Sequence, residues 1–166
     1  IAFEVSLLSR YLVQPRTGHL VQALHIIKYL DIHSKNDLAF DPAIHEIEDP
    51  QLVQARIKAM KEIYTDAEEA MPTNAPEPRG NPIQVNCFVD SDHAGDRLTR
   101  RSQTGIIVYC NSAPVIWYSK RQTTVETSTF GAEFVALRIA SELIISLRYK
   151  LRMFGIPVPD PANVFC

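Results

Sequence analysis

Four prolines fall within eleven residues, at Pro72, Pro76, Pro78 and Pro82, and they constrain this chain more than any other feature. Each fixes φ and removes an amide donor, so neither a helix nor a central strand is expected to run through them. The segment reads as an extended tether. The chain accordingly divides into a helical piece at 1–45, an acidic Pro-rich connector at 46–82 and an α/β unit at 83–166. Charge follows the same division. Residues 1–45 carry four basic and four acidic side chains, residues 46–82 four and eight, and residues 83–166 nine and seven. The overall charge of −2 thus conceals an acidic middle and a mildly basic C-terminal part.

Before the tether, Val5, Leu8 and Leu12 recur at helical spacing until Pro15 stops the run. Leu20, Ala23, Leu24, Ile27 and Leu30 make the stripe of a second helix, and Leu52, Ile57, Met60 and Ile63 that of a short third one. Two short helices make too little core to stand alone. The first piece is therefore expected to pack on something upstream. The chain opens on Ile1 inside an apolar run and closes on Asn163-Val164-Phe165-Cys166, which reads as part of a longer protein.

After the tether the texture changes. Ile83, Val85, Cys87 and Val89 alternate with Gln84, Asn86 and Phe88, predicting a half-buried strand that ends on Asp90. Gly105–Cys110 and Val115–Ser119 are two further strands, with a turn at Asn111-Ser112-Ala113-Pro114. A long helix follows, with a stripe of Phe130, Phe134, Leu137, Ala140, Ile144, Leu147, Leu151 and Phe154, ended by Gly155 and Pro157. A last strand begins near Ala162. Three meandering strands, one long helix and another strand make an α/β or α+β unit.

Three features carry possible chemistry. In Val89-Asp90-Ser91-Asp92-His93-Ala94-Gly95-Asp96 a strand delivers one carboxylate at its end and a second two residues later. That is one way to present oxygens to a hard cation such as magnesium, and equally a solvated acidic turn. Glu133 sits in the first turns of the long helix, beside the apolar stripe, after the N-cap candidates Ser128 and Thr129. Its charge there needs a partner, a metal or a hydrogen-bond network, unless it serves only the helix dipole. Arg100, Arg101 and Ser102 precede the second strand and Lys120, Arg121 and Gln122 follow the third, with Trp117 and Tyr118 nearby. Such groups either hold a phosphate backbone without reading bases or are ordinary loop charge.

Other classes are disfavoured. Cys87, Cys110 and Cys166 are odd in number and lack CxxC spacing, which argues against a disulfide framework or a zinc site. The first two read as small buried hydrophobes. The five histidines show no ligand spacing, and no apolar stretch approaches the roughly 20 residues needed to span a bilayer.

Taken in order, FVDSDHAGD, TRRSQTGI and VIWYSKRQTTVETSTFGAEFVAL resemble the ribonuclease H domain of copia-type LTR retrotransposon polyproteins. That family has an Asp-x-Asp-x-Ala-Gly turn, an Arg-Arg-Ser-x-x-Gly lead into strand two, a Trp-x-Ser-Lys-x-Gln exit from strand three and an Ala-Glu-Phe/Tyr helix start. All four occur between residues 88 and 137. SLLSRYLVQPRTGHLVQALHIIKYL is similar to the reverse-transcriptase tail that precedes the nuclease in the same polyproteins.

The resemblance implies a ribonuclease H-like fold, with a three-stranded antiparallel meander, a long helix and the start of a parallel fourth strand. It makes Asp90 and Glu133 catalytic carboxylates and ligands of Mg2+ or Mn2+. Asp92 belongs to the family turn and is not taken as a core ligand. The implied partners are an RNA–DNA hybrid or other nucleic acid, held through Arg100, Arg101, Ser102, Lys120, Arg121 and Gln122, and the upstream reverse transcriptase. An intracellular site, in a cytoplasmic particle or the nucleus, is likewise implied, with no membrane. The implied chemistry is hydrolysis of the RNA strand with two cations roughly 4 Å apart.

The family places its third carboxylate directly after the fourth strand, typically in a Cys-Asp-Asn sequence whose Cys matches Cys166, and a fourth further downstream; the sequence as written ends at that Cys. Asp160 lies before the strand, between Pro159 and Pro161, and is no substitute. The polypeptide as written is thus expected to be inactive, with a remnant that binds nucleic acid or serves structure as the alternative. No Tyr-x-Asp-Asp polymerase motif is present.

Overall fold

A computed structural model of the chain describes residues 1–44, 49–65 and 69–166. His45 and parts of the acidic connector, at 46–48 and 66–68, lie outside the described residues. Among the described residues, four helices and a mixed four-stranded sheet form an α/β structure: α1 (Ala2–Ser9), α2 (Thr17–Ile32), α3 (Pro50–Ile63), β1 (Val85–Asp92), β2 (Gln103–Cys110), β3 (Ala113–Arg121), α4 (Thr129–Met153) and β4 (Asn163–Phe165). No helix among the described residues is long and apolar enough to cross a membrane.

The sheet order is β3-β2-β1-β4. β1 and β2 pair antiparallel from Val85↔Cys110 to Asp92↔Gln103, and β2 pairs antiparallel with β3. β4 runs parallel to β1, with Phe88 opposite Phe165. The meander, the long helix and a strand after Ala162 appear where sequence patterning puts them, and β4 is parallel to β1, as the family resemblance implies. The β2–β3 turn is tighter than expected. Asn111, at φ +55°, and Ser112 make it, and Ala113 and Pro114 already belong to β3. Proline is tolerated there because β3 is an edge strand and its register shifts opposite Tyr109.

The core lies between the sheet and α4. Val85, Cys87 and Val89 of β1 and Ile106 and Val108 of β2 meet Ala136, Ala140 and Ile144 of α4, with Val158 closing one end. The helix stripe differs from the expected one at its ends. Phe130, Phe134 and Phe154 are 77%, 62% and 79% exposed, while Ala132, Ala136 and Ala140 are fully buried. Small residues let the helix axis approach the sheet closely, and no room remains there for a phenyl ring. Ser128 caps α4 through its hydroxyl, which accepts from the Gly131 amide at 3.1 Å. Gly155 ends it at φ +72°, with the Ile156 amide bonded back to Leu151 at 3.0 Å.

The N-terminal helices add no buried residue to this core. α1 nonetheless rests on the sheet at β3, and α2 on α1. Residues 72–82 have no helix or strand, as the prolines dictate, but the chain is attached to α4 and its C-terminal flank on both sides of them. The Arg79 amide donates to Gly155 and the Ile83 amide to Pro157, at 2.7 and 2.9 Å. Glu69 accepts from Arg148, itself 7% exposed, at 2.9 Å and is also paired with Arg152. Arg148 further donates to the Asp160 carbonyl at 2.6 Å. This clamp explains how an arginine occupies the buried face of α4, a position that apolar patterning passes over.

Candidate active site

The side chains of Val85, Cys87 and Val89 point into the core, so the strand alternation sends Phe88 and Asp90 to the opposite face of the sheet. Asp90 is exposed there, and its Oδ1 accepts from the Ser91 amide at 2.8 Å. Glu133 is half-buried in the second turn of α4, next to the fully buried Ala132. The parallel pairing of Phe88 with Phe165 carries the chain, one residue later, to the level of these carboxylates. The Cys166 thiol there donates to Glu133 Oε2 at 3.5 Å. Partial burial, this bond and the charges of Glu133 and Asp90 together raise the thiol pKa. The two sequence-predicted carboxylates are thus linked through Cys166, which meets Glu133 and lines one cleft with Asp90.

Beside this corner lies a cleft of about 580 Å³, lined among others by Phe88, Asp90, Asp92, Gln103, Trp117 and Cys166. Trp117 is 59% exposed on it, and Phe88 stacks on Phe165 with ring centres 5.0 Å apart. Among the described residues no cluster of three or more His, Cys, Asp or Glu side chains is arranged to hold a metal ion. Two carboxylates and a protonated thiol are a poor donor set for a pair of hard cations that each want about six oxygens. The described residues at this corner therefore do not fit a two-cation centre.

The turn after β1 is closed by its own residues. The Asp92 carboxylate lies over Gly95, in the space a Cβ there would fill. Ala94 adopts φ +53° and its amide donates to the Ser102 hydroxyl at 3.1 Å, while the His93 ring meets the Glu126 carbonyl at 3.1 Å. Asp92 is thereby part of the turn's architecture.

The predicted basic set separates into two kinds. Ser102 is fully buried by its bond to Ala94, and Gln122 is 3% exposed, its amide donating to Thr104 and to the Ala132 carbonyl. Neither reaches a duplex, which corrects their assignment to a phosphate surface. Arg121 is mostly consumed as well, because it donates to Asp96 Oδ2 at 2.5 Å. Arg100 and Lys120 are exposed and Arg101 is half-buried, so these three remain as surface cations.

Asp96 is a functional-looking residue that sequence reasoning passed over, although it ends the acidic run itself. Besides Arg121, its Oδ2 accepts from Arg10 at 3.4 Å and from the Thr99 hydroxyl at 2.8 Å. Its Oδ1 accepts from the Leu98 amide at 3.1 Å. Arg121 first, then Thr99, holds its carboxyl well below the usual carboxylate range. Arg10 also donates to Gln103 Oε1, whose amide donates to Ser6 at 3.1 Å and to Ser119 at 3.0 Å. α1 is fastened to the sheet through this group. No local signal in the first ten residues announces it, since the contacts span more than 80 residues of sequence.

No protein-family model matches the chain, and no solved structure matches it significantly. Among curated proteins it is 31% identical over 88 residues to the retrovirus-related Pol polyprotein from transposon RE1 of Arabidopsis thaliana, covering 53% of this chain and 6% of that protein. It is 33% identical over 69 residues to the retrovirus-related Pol polyprotein from transposon TNT 1-94 of Nicotiana tabacum, covering 42% of this chain and 5% of that protein. It is also 26% identical over 132 residues to the secreted RxLR effector protein 161 of Plasmopara viticola, which covers 80% of this chain and 93% of that protein.

Proposed function

We propose, from the premise that this chain is a segment of a retrotransposon Pol polyprotein, that it is a ribonuclease H-like module which binds RNA–DNA hybrid over the corner holding Asp90 and Glu133. The observation that carries the reading is that Glu133 meets Cys166 while Asp90 lines the same cleft as Cys166, although β1 and α4 bring them from more than 40 residues apart. A mixed sheet with one long helix across its face supports the same reading. Hybrid recognition would rest on duplex shape, phosphates and 2′-hydroxyls, with Arg100, Arg101 and Lys120 as the available cations.

In the family that the sequence resembles, hydrolysis of the RNA strand is supported by two cations. The described residues supply Asp90 and Glu133 to this corner, so the polypeptide 1–166 is expected to bind hybrid without cutting it appreciably.

The test is a labelled RNA–DNA hybrid presented to polypeptide 1–166 with magnesium. Binding that weakens with salt, and whose salt slope falls by roughly one when Lys120 or Arg100 becomes glutamine, is the expected result. Salt-insensitive or absent binding rejects the nucleic-acid reading. Robust cleavage abolished by Asp90→Asn rejects the inactivity of this polypeptide and leaves the ribonuclease reading standing.

A further inference from the structure

A second cleft, also of about 580 Å³, lies between the α1–α2 turn and the loop after β1. Its walls include Arg10, Tyr11, Gln14, Arg16, His19 and Leu98, and no carboxylate lines it. Tyr11 and His19 stack with ring centres 4.0 Å apart, and the Arg16 amide donates to His19 Nδ1 at 3.1 Å, so the turn that presents Arg16 is ordered. Arg16 is exposed, and it has no carboxylate partner among the described residues.

The positive charge here is not cancelled by the neighbouring structure. Arg10 and Arg121 share one oxygen of a single carboxylate, Asp96, which leaves about one unit of charge unbalanced at the floor of the cleft. The Arg121 charge, after burial, lowers the Arg10 pKa, as expected for two guanidiniums crowded on one acid. Around them the loop adds Arg97 and Arg100, both exposed.

The cleft also adjoins the acidic corner. Gln103 lines the Asp90 cleft with one side and accepts from Arg10 with the other, so one hydrogen-bonded pair divides the two. Asp92 lies opposite Gln103 across the β1–β2 ladder, and Asp90 is two residues before it on the same strand.

We infer that the α1–α2 turn and the Asp96 loop together hold the phosphate backbone of the nucleic acid as it leaves the Asp90–Glu133 corner, with Arg16 as the leading contact. The inference rests on the reading of that corner as a nucleic-acid site. It adds that the N-terminal helices are part of the binding surface and not only an attachment to an upstream domain. Phosphate is the chemistry that fits, because the walls offer guanidiniums, an amide and ring edges, and no acceptor-rich pattern for reading bases.

The test uses the same labelled hybrid, long enough to extend about ten base pairs beyond the corner, with Arg16→Glu and Leu98→Glu variants of polypeptide 1–166. Glutamate at position 16 suits a helix N-terminus, so folding is kept, and an unchanged thermal melt verifies it. Each variant is expected to weaken hybrid binding roughly five- to tenfold at low salt and to reduce the salt slope by about one. Lys150→Glu, in the last turn of α4 at the far end of the helix, is expected to change neither. Wild-type binding that Arg16→Glu and Leu98→Glu leave unaltered overturns this inference and spares the reading of the corner. Failure of the wild type to bind hybrid at all overturns both.

Discussion

Asp90 and Asp96 belong to one eight-residue run, yet the fold treats them in opposite ways. Asp96 answers two guanidiniums, a hydroxyl and backbone amides, and ties α1, the loop and β3 together. Asp90 is exposed and, among the described residues, accepts one backbone bond, while Glu133 meets a thiol. A carboxylate whose charge is matched inside the protein is a structural element. One left with its charge toward a cleft is available to a ligand, and it repels a second carboxylate unless something cationic intervenes.

The sharpest way to break this contrast is to remove each carboxylate and measure stability. Asp96→Ala strands Arg10 and Arg121 beside one another in a part-buried site, and is expected to cost about 3 kcal/mol, read from the urea midpoint. Asp90→Asn should move that midpoint by less than about 0.5 kcal/mol, because an exposed side chain with one local bond is lost. Equal losses from the two would erase the distinction.

A smaller effect concerns acid. Arg152 chiefly, with Arg148, lowers the Glu69 pKa from 4.5 to about 2 against the opposing effect of burial. A carboxyl depressed in the folded state contributes stability that is complete above its unfolded value and lost as pH falls through the folded one. The clamp on α4 should therefore hold above about pH 4.5 and release progressively toward pH 2. Glu69→Gln is expected to flatten the acid limb of a midpoint-against-pH curve without changing its neutral plateau shape. Glu69 is 40% exposed, so solvent screening keeps the effect modest. An acid limb as steep in the variant as in the parent would remove Glu69 from the clamp.

The smallest effect reads the corner directly. The Cys166 thiol is held protonated partly by Glu133 and Asp90, so neutralising either carboxylate should free more thiolate. Alkylation of Cys166 at pH 8, followed by mass spectrometry, is expected to accelerate roughly two- to fivefold in Asp90→Asn and Glu133→Gln. Cys110, whose thiol is raised by burial alone, should not respond. Equal rates in all three proteins would separate the two carboxylates from Cys166 and dissolve the corner.

Much of the sheet was legible because strands announce themselves by alternation, as Val85, Cys87 and Val89 do, and Gly155 with Pro157 marks where α4 must stop. Asp90 at a strand end and Glu133 near a helix start were legible for the same reason, through their elements. Ser102, Arg121 and Gln122 turn toward partners inside the protein, which sequence does not announce. A hydroxyl, a guanidinium and an amide look alike in sequence whether they bond to a phosphate or to Ala94, Asp96 and Thr104. The partner is what differs, and it lies elsewhere in the chain.

By itself the sequence determined the order of elements, the turn chemistry and the residues that can carry charge, since these depend on backbone preferences acting over a few neighbours. Tertiary structure decided the rest. It chose the alanine face of α4 over Phe130 and Phe134, because close contact with the sheet excludes large rings. It buried Arg148 by supplying Glu69 and the Asp160 carbonyl from outside the helix. It also closed Asp96 with arginines from 86 residues before and 25 after, leaving Asp90 open. Desolvation of a charge is a matter of what arrives from a distance, and local sequence holds no record of it.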